Sequence, residues 1–223
     1  MILSVCITTA TQSQVPDLNY NFEGILSYTY LLLDSNENKL PFPIEEDEEY
    51  RNETRIINRV VKGESLRMIG NQDIYLDSEM NVAYQIDHDR KSITKILKTK
   101  VDQINPIEFV KLGETKIQNH LCDIYFIKYV HEMSYMKSIS DFSHPDTVSC
   151  TFYIARYLKA PNQKKFAELQ GNNNSKIIDG RFSGVTLKVI MSFSDGQKIV
   201  IDIKSIELRE ISDLVKLPPY AFK

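Results

Sequence analysis

No stretch of about 20 apolar residues occurs in this sequence, so no part of it spans a bilayer as a helix. An excess of one charge is lacking too: 27 basic and 30 acidic residues give a net charge of −3 and a pI near 5.9. That excludes a protein whose main business is holding a polyanion, because phosphate binding draws on clustered Lys and Arg. A nucleic-acid partner is therefore not expected. Cysteine is scarce, at three residues. A chain of this length buries about 70% of the surface its unfolded form exposes, so its core needs no disulfide or metal. Also missing are a Gly-rich phosphate loop, a Gly-x-Ser-x-Gly nucleophile elbow and a Cys-x-x-Cys pair. The four histidines, His88, His120, His131 and His144, are far apart. His120 and Cys122 come nearest to a metal pair, and two ligands do not make a structural zinc site. No catalytic residue, metal ligand or cofactor is assigned from these patterns.

What is present is a soluble-globular composition, 42% hydrophobic and 26% charged, with a period of two. Val82, Tyr84 and Ile86 alternate with Ala83, Gln85 and Asp87, and Leu187, Val189, Met191 and Phe193 alternate with Thr186, Lys188 and Ser192, with Ile190 the exception. Ile199, Ile201 and Ile203 continue the pattern, then the apolar positions switch parity to Ile206 and Leu208. One extra residue near Lys204-Ser205 explains the switch as a β-bulge. Ser194-Asp195-Gly196 reads as a hairpin turn. Further strands are expected at Phe22–Leu33, Thr54–Val61, Ser65–Gly70, Asp73–Asp77, Ser92–Lys98, His120–Val130 and Ser149–Tyr157. Phe22–Leu33 and Tyr125–Tyr129 are apolar on both faces, as in strands that lie under a second layer. A helix is expected from Pro161 to Gln170, opened by its proline and capped by Gly171. The stretches 34–52, with the acidic run Glu45 to Glu49, and 134–147 read as irregular. Asp87-His88-Asp89 reads as a solvated turn rather than a catalytic base.

Met1–Gln14 carries no charged side chain and runs from the apolar Ile2–Ile7 into small and polar residues, the back half of a secretory signal peptide. The competing reading makes Ile2–Thr8 a first strand. Export leaves Cys122 and Cys150 as an even pair in an oxidising compartment. A symmetric hairpin of 121–130 with 148–157 sets Cys150 opposite Lys128, so a disulfide needs another register, and two buried thiols are the simpler reading.

Taken in order, Val60–Met68, the strand-turn-strand Tyr75–Asp87, Leu112–Tyr125 with Cys122 three positions before Tyr125, Phe152–Ala155 and the closing Leu217–Tyr220 resemble the LolA-like superfamily of exported lipoprotein carriers and their relatives. Asn119 stands where a glycine is more usual. The resemblance covers roughly residues 20–223. It implies a mainly β, α+β fold: a strongly curved antiparallel sheet, or half-barrel, wrapped around one or two helices, with residues 15–223 as a single domain after the leader 1–14. It further implies export to the periplasm or outer membrane and a non-enzymatic role, holding acyl chains in the hollow.

The expected ligand-binding residues are Phe22, Leu26, Tyr28, Tyr30, Leu32, Tyr84, Ile86, Met191 and Phe193, the large apolar side chains of the strands that would line such a hollow. The ligand class is lipid or the acyl chains of a lipoprotein. The alternative is an envelope interaction module with a closed core, binding a protein partner through the loops at 34–52 and 134–147. An enzyme built on His88 or His120 is the third reading.

Overall fold

Apolar residues at alternate positions make a segment pair with neighbours rather than coil, and most strands among the described residues are built that way. The computed structural model describes residues 22–40, 55–62, 65–69, 73–77, 79–96, 106–131, 146–159, 184–209, 211 and 213–223. Among these lie no helix and thirteen strands: β1 (Gly24–Leu33), β2 (Lys39–Leu40), β3 (Arg55–Lys62), β4 (Ser65–Ile69), β5 (Asp73–Asp77), β6 (Val82–Asp87), β7 (Ser92–Lys95), β8 (Glu108–Ile117), β9 (His120–His131), β10 (Asp146–Ala155), β11 (Val185–Ser192), β12 (Lys198–Leu208) and β13 (Ala221–Phe222). They form one sheet in the order β13-β7-β6-β5-β4-β3-β1-β12-β11-β10-β9-β8, with β2 paired to β1 beside that path. Every pairing is antiparallel except β13 with β7. The path ends at β13 and β8, so among the described residues the sheet is open and no barrel is closed.

β1 is the hub. β12 runs along the whole of one edge, and β3 and β2 share the other. Its two-sided apolar sequence suits this place. Leu26, Tyr28 and Leu32 are buried on one face, while Ile25 on the other packs with Ile211, beside Ile69, Leu214 and Val215.

The bulge expected near Lys204 is present. Ser27 faces Ser205 and Tyr28 faces Ile203, which leaves Lys204 as the extra residue and returns Ile203 and Ile206 to the same face. Comparable shifts leave Leu187 extra on β11 and Leu112 extra on β8. The alternation on β11 holds along its length, and Gly196 turns at φ 85° between β11 and β12 as the Ser-Asp-Gly sequence requires. At the β8–β9 turn Gln118 and Asn119 both take positive φ, 46° and 67°, so Asn119 fills the role of the usual glycine.

Other expectations are corrected. On β6, Ala83 and Ile86 are buried while Tyr84 is half-buried, because the strand packs on both faces: Ala83 stands opposite Leu76 in a large cluster. Cys150 faces Ile127, not Lys128, and Cys122 faces Ala155. Cys122 and Ile127 are five positions apart on β9, roughly 17 Å at about 3.4 Å per residue, and both cysteines are unbridged and buried. β8 lies outside the strands expected from the sequence, and β2 and the start of β10 fall in stretches read as irregular. The leader Met1–Gln14, the helix Pro161–Gln170, the acidic run Glu45 to Glu49 and His144 lie outside the described residues.

Candidate ligand-binding face

The antiparallel registers convert the strand pattern into rows of side chains across the sheet. Leu32 on β1 faces Ile199 on β12, then Met191 on β11, Cys150 on β10, Ile127 on β9 and Phe109 on β8. One step along, Tyr30 faces Ile201, followed by Val189, Phe152 and Tyr125. Cross-strand neighbours of this kind are the unit of sheet stabilisation, and each fully buried Leu, Ile or Phe contributes about 1.5–3 kcal/mol by leaving water.

The buried side chains of the sheet sort into two main clusters placed end to end along the strands, and the two rows belong mainly to the one that contains Leu32. One holds Phe22, Leu26, Tyr28, Leu76, Ala83, Cys122, Leu158, Leu187 and Ile203. The other holds Leu32, Ile127, Tyr129, Phe152, Met191, Phe193 and Ile199. Ile201 packs against both and joins them. The Tyr28 hydroxyl, deep in the first cluster, donates to the Thr186 carbonyl at 2.8 Å. The Phe22 N–H donates to the Lys159 carbonyl, which ties the start of β1 to the chain after β10.

The expected ligand residues are thus divided. Phe22, Leu26 and Tyr28 share the first cluster with half-buried Tyr30 at its edge; Leu32, Met191 and Phe193 share the second. Ile86 is buried on β6, opposite Asp73 and Ile93. Tyr84 stands apart, stacked on Tyr75 and edge-on to Phe222. Sequence reasoning missed Ile127, Phe152, Val189 and Leu158 as members of the same apolar face. Of their segments only that of Ile127 reads as apolar on both faces, and only the register says which residues stand in a row.

Two polar networks flank this face. Arg156, after β10, binds Asp123 and Glu114, and Lys111 lies 2.8 Å from Asp123. The Arg156 guanidinium holds both carboxyls below the usual carboxylate range, and Asp123 raises Lys111 and Arg156 in turn. The second network centres on buried Asp73. Arg67 donates to it through Nε at 2.9 Å and Nη2 at 2.5 Å, a two-pronged guanidinium–carboxylate pair. His88 Nε2 meets the same carboxylate at 2.7 Å, and its Nδ1 lies 3.2 Å from the Tyr220 hydroxyl. His88 is therefore in its turn, as expected, but it has partners there.

His120, at the start of β9, is the other candidate base, and burial pushes its imidazole down. The two histidines stand apart, one in the turn after β6 and one as the first residue of β9, and share no partner in these networks. Burial likewise pushes the Cys122 thiol up to about 11 and the Cys150 thiol up to about 12. Among the described residues no group of three or more His, Cys, Asp or Glu could hold a metal ion. No helix among them is long and apolar enough to cross a membrane.

The site belongs to a mainly β protein with a wide, open antiparallel sheet and a continuous apolar face. No protein-family model matches the chain, and no curated protein matches it. Among solved structures it is similar to LprF from Mycobacterium bovis, with a TM-score of 0.36 and 8% identity over 84% of this chain and 89% of that one. It is also similar to the lipoprotein LppX from Mycobacterium tuberculosis, with a TM-score of 0.35 and 8% identity over 84% and 90%. A third is an outer membrane lipoprotein-sorting protein domain, so described, from Vibrio parahaemolyticus, with a TM-score of 0.32 and 9% identity over 85% and 88%. The functional reading below rests on the geometry of the sheet.

Proposed function

We propose that the protein is an exported, non-enzymatic binding protein of the cell envelope, periplasmic or outer-membrane associated. It receives a hydrophobic ligand, lipid or the acyl chains of a lipoprotein, against the face built by β1, β12, β11, β10 and β9. The observation that carries this reading is the pair of apolar rows running unbroken across those five strands, a surface far wider than one chain of alternating residues supplies. The extra residues Lys204 and Leu187 bend neighbouring strands, which supports a half-barrel curvature. In this reading Phe22, Leu26, Tyr28, Tyr30, Leu32, Met191 and Phe193 contact the ligand, Tyr84 and Ile86 on β6 stand outside the contact face, residues 15–223 are one domain and Met1–Gln14 is its leader. Extraction of the purified protein with organic solvent tests it. Acyl lipid recovered near one molecule per chain is the expected result, and a lipid-free extract from a protein that also takes up no lipid when loaded would refute it.

A specific observation favours the alternative, an interaction module with a closed core. Phe22, Leu26, Tyr28 and Leu32 are 0–3% exposed and Met191 and Phe193 are each 7% exposed, so these side chains border almost no space that admits water. A ligand would have to open this packing. If the core stays closed and the loops do the work, deletion of residues 41–50 leaves folding intact and removes capture of an envelope protein partner.

A further inference from the structure

Among the described residues the sheet departs from its antiparallel pattern at one place, where residues 221–222 meet β7. Ala221 pairs with Ser92 and Phe222 with Ile93 in parallel, and the Lys223 N–H donates to the Ile93 carbonyl at 3.0 Å. Two aromatic side chains, two positions apart, anchor the segment. Phe222 meets Tyr84 edge to face, with centroids 5.6 Å apart at 73°, and Tyr220 meets His88 in the same manner, 5.7 Å apart at 83°. Tyr220 and Phe222, two positions apart, thus meet two receptors four positions apart, His88 in the turn after β6 and Tyr84 on β6 itself.

The hold on this end is slight. Phe222 remains 64% exposed, and the pairing is two residues long. The stretch before it is held firmly. Ile211 is 2% exposed against Ile25, and the Leu214 carbonyl accepts from Arg67 Nη1 at 3.1 Å. Pro218 and Pro219 stand between the two parts, with fixed φ and no N–H to pair with a neighbour. A loose strand on a firm tether is the arrangement in which one peptide replaces another, because backbone hydrogen bonds along a sheet edge suit any extended chain while side-chain pockets select it.

We propose that the outer edge of β7, with Tyr84 and His88 beside it, is a strand-addition site for an extended peptide carrying two aromatic side chains two residues apart. Tyr220–Lys223 is its resident and displaceable occupant. The site reads aromatic edges and backbone, so its partner is a peptide or protein tail and not a lipid. The inference is independent of the hydrophobic-ligand reading.

The test is fluorescence anisotropy of a labelled peptide with the sequence of residues 217–223, added to the full-length protein. The resident tail competes at the high effective concentration of a tethered segment. Full-length protein carrying Tyr220→Ala and Phe222→Ala should therefore bind the peptide at least about tenfold more tightly than the unaltered protein. Adding Tyr84→Ala to that variant, with its unfolding midpoint checked, should abolish the gain. A peptide with both aromatics replaced by alanine should not bind. Equal binding to the unaltered and double-variant proteins, no binding to either, or binding that ignores the peptide's aromatics would each overturn the proposal.

Discussion

Arg67, whose register partner is Tyr75, reaches diagonally across the β4–β5 hairpin to Asp73 through Nε and Nη2, and the carboxylate's side chain is only 5% exposed. His88 and, through it, Tyr220 hang on the same carboxylate, so one buried charge joins β4, β5, the β6–β7 turn and the end of the chain.

Removing Arg67 leaves the buried Asp73 carboxylate with only the half-exposed His88 beside it. Arg67→Ala should cost about 3 kcal/mol. For a domain of this size that is a fall in the thermal midpoint of roughly 6–12 °C. The double variant Arg67→Leu with Asp73→Leu should recover most of the loss, since no charge is then buried. His88 is half exposed, and His88→Ala should cost less than about 1 kcal/mol. A single Arg67 variant as stable as the unaltered protein would show that the pair is not what holds this half together.

Acid should reveal the network around Arg156. Asp123 is held below the usual carboxylate range by its hydrogen bonds to Arg156, so its folded pKa lies under its unfolded one. A group shifted down contributes stability above its unfolded pKa and loses it as pH falls through the folded value. Urea midpoints measured between about pH 5 and pH 2 should therefore fall more steeply for the unaltered protein than for Asp123→Asn, with the two curves converging at the acid end. Parallel curves would mean that Asp123 titrates alike in both states.

The cysteines should be inert. Cys122 pushed up to about 11 and Cys150 up to about 12 are protonated thiols at neutral pH, and their partners Ala155 and Ile127 keep them apart. In protein carrying Cys6→Ser, neither thiol should react with iodoacetamide until denaturant is added, and both should react then. Fast labelling of the folded protein, or a disulfide found by mass, would contradict the packing described.

The bulge on β12 makes the sharpest link between sequence and register. Lys204 is exposed, and Lys204→Ala should change stability by less than about 0.5 kcal/mol. Deleting Lys204 should be severe, because a one-residue slip takes Ile206 off the face it shares with Leu26. Comparable solubility and midpoint for the two variants would show that the extra residue does not set the register.

Lys204 also shows how far the sequence could be read. The parity switch from Ile203 to Ile206 is a local signal and located the bulge correctly. The Ser-Asp-Gly turn and the alternation on β11 were legible for the same reason. Asp73 and His88 are 15 positions apart and Arg67 and Leu214 are 147 apart, so no spacing rule could bring them together. β8 escaped notice because Leu112 breaks its alternation and most of its side chains are exposed. Tyr84 was expected in the hollow because it alternates with Ala83. Its actual neighbour, Phe222, comes from the far end of the chain. Of the candidate face, the apolar content of β1, β11 and β12 was visible, and the rows were not, because rows are a property of register.

The most direct measurement is a titration of delipidated full-length protein with a fluorescent fatty-acid probe. The account predicts saturable uptake near one probe per chain, weakened when Leu32 or Met191, which face Ile199 from its two sides, is replaced by a smaller apolar residue. No saturable uptake by the folded protein would contradict it, and would leave the apolar face as closed core.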